Sequence, residues 1–289
     1  MIISLESNFE EIRKTHNSIH EFIYFAPLCL PSKTKVSSDQ KSAFLDYHFQ
    51  AFYQAHRSFL EALSGYYNAG YVLLRSVLEL LLKGAFWECL AHKKFRDNAE
   101  IVKEKASTKI RRSRKTILDW LNNDVIAQNP SIEKELEEVS AEIFDNDKIG
   151  HIFEDSTLRK LIPKPKVIIE QLAAWGILDS IPNPIDNVYK IYDDLSGEVH
   201  VIPDKTDIGR RLLSQKELFE IDVMPEELNK FMMILHEVVD IGIVIELSVL
   251  SDWISQNGKT KVKLKERLAV LEDLELKFSS EKLMSLVKV

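Results

Sequence analysis

Three charged side chains recur at four-residue intervals in the most apolar segment of the chain, Ala69–Lys94. Arg75, Glu79 and Lys83 therefore share one face of a predicted helix. Leucine, valine and aromatic residues occupy nearly all the rest of its circumference, so this helix has no side left for water and other helices must surround it. A charge in such surroundings requires a partner, because burying an unpaired charge is costly. The stripe thus predicts ion pairing inside a helical bundle.

Two segments together have a recognisable form. Residues Tyr71–Glu79 read as an aromatic residue, an apolar run and then Arg-x-x-x-Glu, and Tyr192–His200 read as Tyr-x-x-Leu-Ser-x-x-x-His. This pair resembles uncharacterised prokaryotic helical families, some of which look related to the HEPN superfamily. The resemblance covers these two segments and the helices around them. It implies a helical bundle that dimerises, and many HEPN proteins are metal-independent RNases that act through an Arg-x(4–6)-His motif near the dimer seam.

The chain departs from that motif at its arginine. Six positions before His200 stands Asp194, and no arginine lies between the two. Only Arg13 and His20 satisfy the spacing, and they lie on the first predicted helix, where the motif is not expected. If His200 acts, its arginine must come from elsewhere in the chain, and Arg75 is the best candidate.

The resemblance therefore implies a catalytic hypothesis with His200, Arg75 and Ser196 as its residues. A histidine can move a proton to or from a ribose oxygen near neutral pH. An arginine fork can hold the phosphate and stabilise its developing charge, and Ser196, one turn before His200, would orient the imidazole. The alternative is a buried polar network in which Arg75, Glu79, Ser196 and His200 satisfy one another. We favour the structural network.

A basic segment follows the apolar helix. Within residues 103–115 only Glu104 is acidic, whereas seven residues are basic: Lys103, Lys105, Lys109, Arg111, Arg112, Arg114 and Lys115. After Pro130 the charge reverses, which predicts a hairpin of two oppositely charged helices. The basic face is either neutralised by its acidic neighbour or binds phosphate, for example of structured RNA. The segment lacks base-stacking aromatic residues, so RNA contacts would follow backbone and shape.

No metal or cofactor is predicted. His16 and His20 share a helix face, and His-x-x-x-His can bind metal, but nothing near them in the sequence completes a ligand set. His236 and Asp240 lie one helical turn apart, where a structural hydrogen bond is expected. The chain has no Gly-rich phosphate loop, no Cys-x-x-Cys pair and no Gly-x-Ser-x-Gly elbow.

Hydrophobic periodicity and helix-end signals predict the elements that position these residues. The first predicted helix begins near Phe9 and stops before Pro27. The other predicted helices of the core are Asp39–Ser64, Ala69–Lys94, Val167–Trp175, Ile185–Leu195 and Pro225–Ser255. The fold class is all-α, a multi-helix bundle around two central buried helices, Ala69–Lys94 and Pro225–Ser255. At most a small two-stranded β ribbon is expected, formed by Val199–Ile202 and Phe219–Val223.

The predicted domain organisation is a helical core of residues 1–257, with a helical insert at about 97–162, and a C-terminal amphipathic tail of residues 258–289. The apolar stripe of the tail can pack on its own chain or on a second copy. A chain of 289 residues, 45% hydrophobic and 29% charged, can bury a large core.

Composition also limits the function classes. The net charge of −7 argues against a protein that coats nucleic acid along its whole surface, but allows a local basic site. Two cysteines without metal-ligand spacing, no signal-peptide pattern and no charge-free apolar span predict a cytoplasmic protein without membrane contact. We expect a non-enzymatic, homodimeric factor that binds RNA or a ribonucleoprotein, such as a ribosomal subunit, through the basic insert. The alternative is a HEPN-like, metal-independent endoribonuclease in defence or stress response.

Overall fold

The fold is all-α, as predicted. A computed structural model describes residues 8–29, 43–91, 164–199, 223–251, 254 and 258–288. Eight α-helices and no strand occupy these ranges. In chain order the helices are α1 (Phe9–Cys29), α2 (Ala43–Leu63), α3 (Tyr67–Ala91), α4 (Pro165–Ala174), α5 (Pro184–Val199), α6 (Pro225–Val249), α7 (Gly258–Asp273) and α8 (Lys277–Val287).

Helices α3 and α6 lie at the centre, which confirms the predicted arrangement. α3 packs against α2, α4, α5 and α6, and α6 packs against α1, α2, α3 and α8. Every residue from Val238 to Leu250 is buried, so the second half of α6 has no polar face. Neither helix has the length and apolarity to cross a bilayer, and the same holds for every helix in the described ranges.

One side of α3 is less enclosed than its sequence predicts. Val72 is 49% exposed, and Arg75, Glu79 and Lys83 follow along the same face with partial exposure. The prediction that α3 has no water-facing side is therefore wrong for this narrow stripe. The physical reason is that the charged groups keep some contact with water, which lowers the cost of placing them on a core helix.

Two helices run past their predicted ends. α1 continues through Pro27 to Cys29, because a proline near a helix end removes only one hydrogen bond of the ladder. α5 continues through Ser196 and Gly197 to Val199, since tertiary packing overrides the modest helix cost of a single glycine. Val199 is thus helical, and the predicted ribbon is wrong at its first residue. Residues 200–222, which hold most of the ribbon, lie outside the described residues.

Helices α2 and α3 form the predicted antiparallel hairpin. Gly65 ends α2 with a φ of 83°, a left-handed conformation that glycine adopts without steric cost. Farther along, a Cβ on Gly84 of α3 would lie 2.8 Å from Cβ of Tyr47 of α2. Only a glycine at position 84 allows the two helices to approach this closely.

The C-terminal helices pack on their own chain. Leu264, Leu271 and Leu283 are buried. Arg267 of α7 holds Glu21 of α1 with two parallel hydrogen bonds, one of which joins Nε to Oε2 at 2.9 Å. The sequence allows the apolar stripe of the tail to pack on its own chain or on a second copy. In the described part of the tail, the stripe packs on its own chain.

Asp240 of α6 binds the first turn of α8, and His236 of α6 contacts the segment that connects α7 to α8. Asp240 accepts hydrogen bonds from the backbone N–H groups of Phe278 at 2.9 Å and Ser279 at 2.8 Å, and from the Ser279 hydroxyl. His236 Nε2 lies 2.8 Å from the carbonyl oxygen of Leu274. A buried carboxylate thus satisfies the free N–H groups at the start of α8.

Candidate functional site

The two motif segments meet through one tyrosine. Arg75 donates from Nη2 to the hydroxyl of Tyr192 at 3.0 Å and from Nε to Oε1 of Glu79 at 3.2 Å. The Tyr192 hydroxyl also lies 3.4 Å from Oε1 of Glu79. Lys83 adds a second cation, with its Nζ 3.1 Å from Oε2 of Glu79. We call Arg75, Glu79, Lys83 and Tyr192 the core ion-pair cluster.

The polar groups of the cluster pair with one another. Both oxygens of Glu79 have a cation, and the guanidinium of Arg75 lies 5.2 Å from the centroid of the Tyr192 ring, within cation–π range. The side chains of Arg75 and Glu79 keep 21% and 23% of their exposure. An arginine held on two sides in this way is poorly placed to clamp a phosphate.

Ser196 is near the cluster but bonds to the backbone. Its hydroxyl donates to the carbonyl oxygen of Tyr192 at 2.6 Å, one helical turn earlier. Among the described residues, Ser196 is thereby joined to the cluster through the main chain of Tyr192. His200 lies outside the described residues, so its proposed contacts with Arg75 or Ser196 stay a prediction from sequence.

The seven basic residues predicted to bind RNA also lie outside the described residues, together with the acidic residues that follow Pro130. Their conformation, and whether the two charged segments form a hairpin, stay predictions. In the described ranges, Lys263 and Lys265 of α7 are exposed and belong to the smaller basic run that begins at Lys259.

Helices α1 and α2 bring three histidines together. His16, His20 and His56 each present a ring nitrogen, and these atoms all lie within 4.8 Å of one another. His56 on α2, distant in sequence, faces His16 and His20 and is a third possible ligand that their sequence neighbourhood does not show. The i, i+4 spacing on α1 was the detectable signal, whereas only the packing of α1 on α2 reveals His56.

Two histidines of this trio have lowered pKa values. Burial lowers the pKa of His20, and the nearby His16 and His56 lower it further. Burial, followed by His16, also lowers the pKa of His56. The neutral imidazole is thus favoured at both positions, and the neutral form is the one that ligates metal ions.

A second polar pair is sealed inside the core. His48 of α2 and Glu246 of α6 are completely buried, with His48 Nε2 lying 3.2 Å from Oε2 of Glu246 and 3.1 Å from the carbonyl oxygen of Phe22. The rings of Phe22 and Phe44 lie against the imidazole, with centroids 4.3 and 5.6 Å away. Burial raises the pKa of Glu246, and His48 opposes this increase. Because apolar groups enclose the pair, it cannot meet a substrate.

Two grooves line the outer face of α6. One, of about 410 Å³, lies between α1 and α6, and the other, of about 370 Å³, lies between α5 and α6. Both include Met233 and Glu237, and burial raises the pKa of Glu237. The lining of the second groove mixes Lys190 and Lys230 with Asp194 and Glu226, so its charge does not select an anion.

No protein-family model matches this chain, and no curated protein or solved structure matches it significantly. The function is therefore inferred from the residues of the chain itself.

Proposed function

We propose that this protein is a non-enzymatic, homodimeric cytoplasmic factor that binds RNA or a ribonucleoprotein, such as a ribosomal subunit, through its basic insert. The observation that carries the proposal is the charge of residues 103–115, which contain seven lysines and arginines but only one acidic residue, Glu104. A segment of this density neutralises several phosphates at once and releases their counterions.

The charge of the whole chain supports a local contact. Its net charge of −7 repels a polyanion from most of the surface, so RNA approaches through the basic segment. Because residues 103–115 contain no aromatic side chain, the contact is made to the sugar–phosphate backbone and depends on RNA shape.

The core ion-pair cluster supports a binding role over catalysis. A catalytic arginine must present free N–H groups to the phosphate in the transition state. Arg75 instead donates to Glu79 and to Tyr192, and a carboxylate partner within hydrogen-bond distance repels an incoming phosphate. The HEPN-like RNase remains the alternative outcome of the experiment below.

The test is a binding titration of the full-length protein with a fluorescently labelled structured RNA and, in parallel, with purified ribosomal subunits. The test variant reverses three charges of the insert: Arg111→Glu, Arg112→Glu and Arg114→Glu. The matched control reverses three charges of α7: Lys261→Glu, Lys263→Glu and Lys265→Glu. Both variants change the net charge equally, so they separate a local site from a general charge effect.

We expect the insert variant to lose at least about tenfold in affinity and the α7 variant to bind nearly as well as wild type. Equal losses in the two variants would point to net charge alone and would contradict the proposed site. Sequencing of the RNA that co-purifies with the wild-type protein identifies the bound RNA. New, uniform RNA ends made by the purified protein would replace the binding function with the RNase. Light scattering of the same preparation tests the dimer.

A further inference from the structure

The three histidines on α1 and α2 have a geometry that the proposed RNA-binding function does not use. Nε2 of His20 lies 3.2 Å from Nε2 of His16. The ring centroid of His56 lies 5.4 Å from that of His16 and 5.8 Å from that of His20. One nitrogen from each ring falls within a common span of 4.8 Å.

Local structure and packing both hold the trio in place. His16 and His20 lie one turn apart on α1, so their rings project from the same face. His56 projects from α2, which packs against α1. Phe52 provides an apolar wall, with its ring centroid 6.4 Å from that of His20 and 6.1 Å from that of His56. The three histidines are half-buried, so one side of the trio remains open to solvent.

These distances fit a tetrahedral metal ion. Zinc binds histidine nitrogens at about 2.0–2.1 Å, which places two such nitrogens about 3.3 Å apart in a tetrahedron. The two Nε2 atoms on α1 are already at 3.2 Å. The nitrogen of His56 lies at most 4.8 Å from the others, so its partly exposed side chain would have to move to reach the tetrahedral distance on metal binding.

We propose that His16, His20 and His56 form a binding site for a divalent transition-metal ion, with Zn²⁺ as the expected occupant. In the described part of the chain this ligand group consists of three imidazoles, which select zinc, copper or nickel over Mg²⁺ and Ca²⁺, since the latter two require oxygen ligands. Three protein ligands leave the fourth position of a tetrahedral ion to water or to an exchangeable ligand. The bound ion also crosslinks α1 to α2 and stabilises the folded chain.

The alternative explanation is a hydrogen bond between two neutral imidazoles. At 3.2 Å, an N–H group of one ring on α1 can donate to the bare nitrogen of the other. This interaction needs neither His56 nor a metal. The two explanations therefore differ in whether Zn²⁺ binds and in whether its binding depends on His56.

The test uses full-length protein without a polyhistidine tag, stripped of metal with a chelator. Zn²⁺ affinity is measured by competition with a chromophoric chelator, and Co²⁺ is added as a spectroscopic probe, since tetrahedral Co²⁺ has strong visible absorption. The variants are His16→Ala, His56→Ala and the milder His56→Asn. The control is His236→Ala, which removes a half-buried histidine on α6, in contact with Leu274 and outside the trio.

We expect one equivalent of Zn²⁺ to bind wild type and His236→Ala, and the tetrahedral Co²⁺ spectrum to appear in both. Each variant of the trio should bind at least about tenfold more weakly and lose that spectrum. Zn²⁺ should raise the melting temperature of wild type but not of His56→Ala. Melting curves without metal show whether each variant is folded. Folded wild type that binds no more tightly than His56→Asn, or that gives only an octahedral Co²⁺ spectrum, would overturn the proposal.

Discussion

Arg75 donates a hydrogen bond of 3.0 Å to the hydroxyl of Tyr192 and thereby joins α3 to α5 across 117 positions of sequence. The same hydroxyl lies 3.4 Å from Glu79, so a side chain of α5 closes an ion pair within α3. The pair occupies a partly exposed stripe, and its partners hold the arginine in one conformation. The hydrogen bonds of Tyr192 with Arg75 and Glu79, together with the partial exposure of the pair, offset the cost of placing these two charges on a core helix.

Arg75→Ala should destabilise the protein by about 1–3 kcal/mol, because it leaves Glu79 and the Tyr192 hydroxyl with fewer partners. A fully buried pair would lose more when one partner is removed, about 3–5 kcal/mol, but the Arg75 side chain is 21% exposed and water compensates in part. The measurement is chemical denaturation, with Tyr192→Phe as the control that removes only the hydroxyl. A loss for Arg75→Ala no larger than that for Tyr192→Phe would contradict the structural role of the ion pair.

His200→Ala separates the structural network from catalysis. If His200 belongs to the structural network, its replacement by alanine should lower stability by about 1–3 kcal/mol, because buried partners lose their hydrogen bonds. As a catalytic residue in an open cleft, it should leave the fold nearly unchanged and abolish RNA cleavage. Melting and RNA cleavage are measured side by side. We expect the loss of stability, and a fully stable variant that no longer cleaves RNA would establish the enzyme instead.

Glu246→Gln should change the pH dependence of stability. Burial raises the pKa of Glu246 above its ordinary value of 4.5, so the folded protein keeps a proton that the unfolded chain releases. The resulting stability is complete below the unfolded pKa and is lost as the pH rises through the folded pKa. Glutamine carries no titrating proton, so the variant does not show this loss of stability as the pH rises. The variant should therefore gain stability relative to wild type as the pH rises from mildly acidic to mildly alkaline.

Thermal melts of both proteins over that pH range provide the measurement for Glu246. The difference between variant and wild type is the quantity compared, because titrating groups remote from Glu246 contribute equally to both proteins. His20 and His56 illustrate the need for this subtraction. Their lowered pKa values act in the opposite direction, with stability lost as the pH falls. A difference that is constant with pH would show that Glu246 does not titrate.

Gly84→Ala should destabilise the protein by about 1–3 kcal/mol, although alanine favours helices over glycine. The added Cβ would meet Cβ of Tyr47 at 2.8 Å, an atom fixed to the α2 backbone. Gly242→Ala is the matched comparison, because its Cβ would meet the ring edge of Phe22 at 2.9 Å and a methyl group of Leu81 at 3.0 Å. Side-chain ends move more easily than a Cβ, so Gly242→Ala should lose less. The reverse order in denaturation experiments would show that α2 and α3 separate at little cost.

The triple reversal at Arg111, Arg112 and Arg114 should also reduce the salt dependence of RNA binding. Each phosphate contact that is lost decreases the slope of log affinity against log salt by about 0.7–0.9. Titrations at several salt concentrations give this slope for the variant and for wild type. An unchanged slope would show that these arginines do not contact phosphates.

The sequence by itself determined the fold class, the two central helices and the α2–α3 hairpin. Each follows from local signals: the apolar circumference of α3 and of the second half of α6, and a glycine that ends α2 at Gly65. Such signals lie within one or two helical turns, and short connections force neighbouring helices to pack antiparallel. The same signals misplaced the ends of α1 and α5. Pro27 lies in the last turn of α1, where it removes only one hydrogen bond, and packing of α5 outweighs the modest helix cost of Gly197.

Only the tertiary structure decided which distant side chains meet. His56 joins His16 and His20 because α2 packs on α1, Tyr192 reaches Arg75 because α5 packs on α3, and Asp240 caps α8 because the C-terminal hairpin folds onto α6. Helical periodicity shows which face of a helix is apolar. It carries no information on which helix covers that face or with what rotation, because any helix of suitable shape satisfies the same hydrophobic requirement. Contacts between helices far apart in sequence are therefore fixed by packing alone.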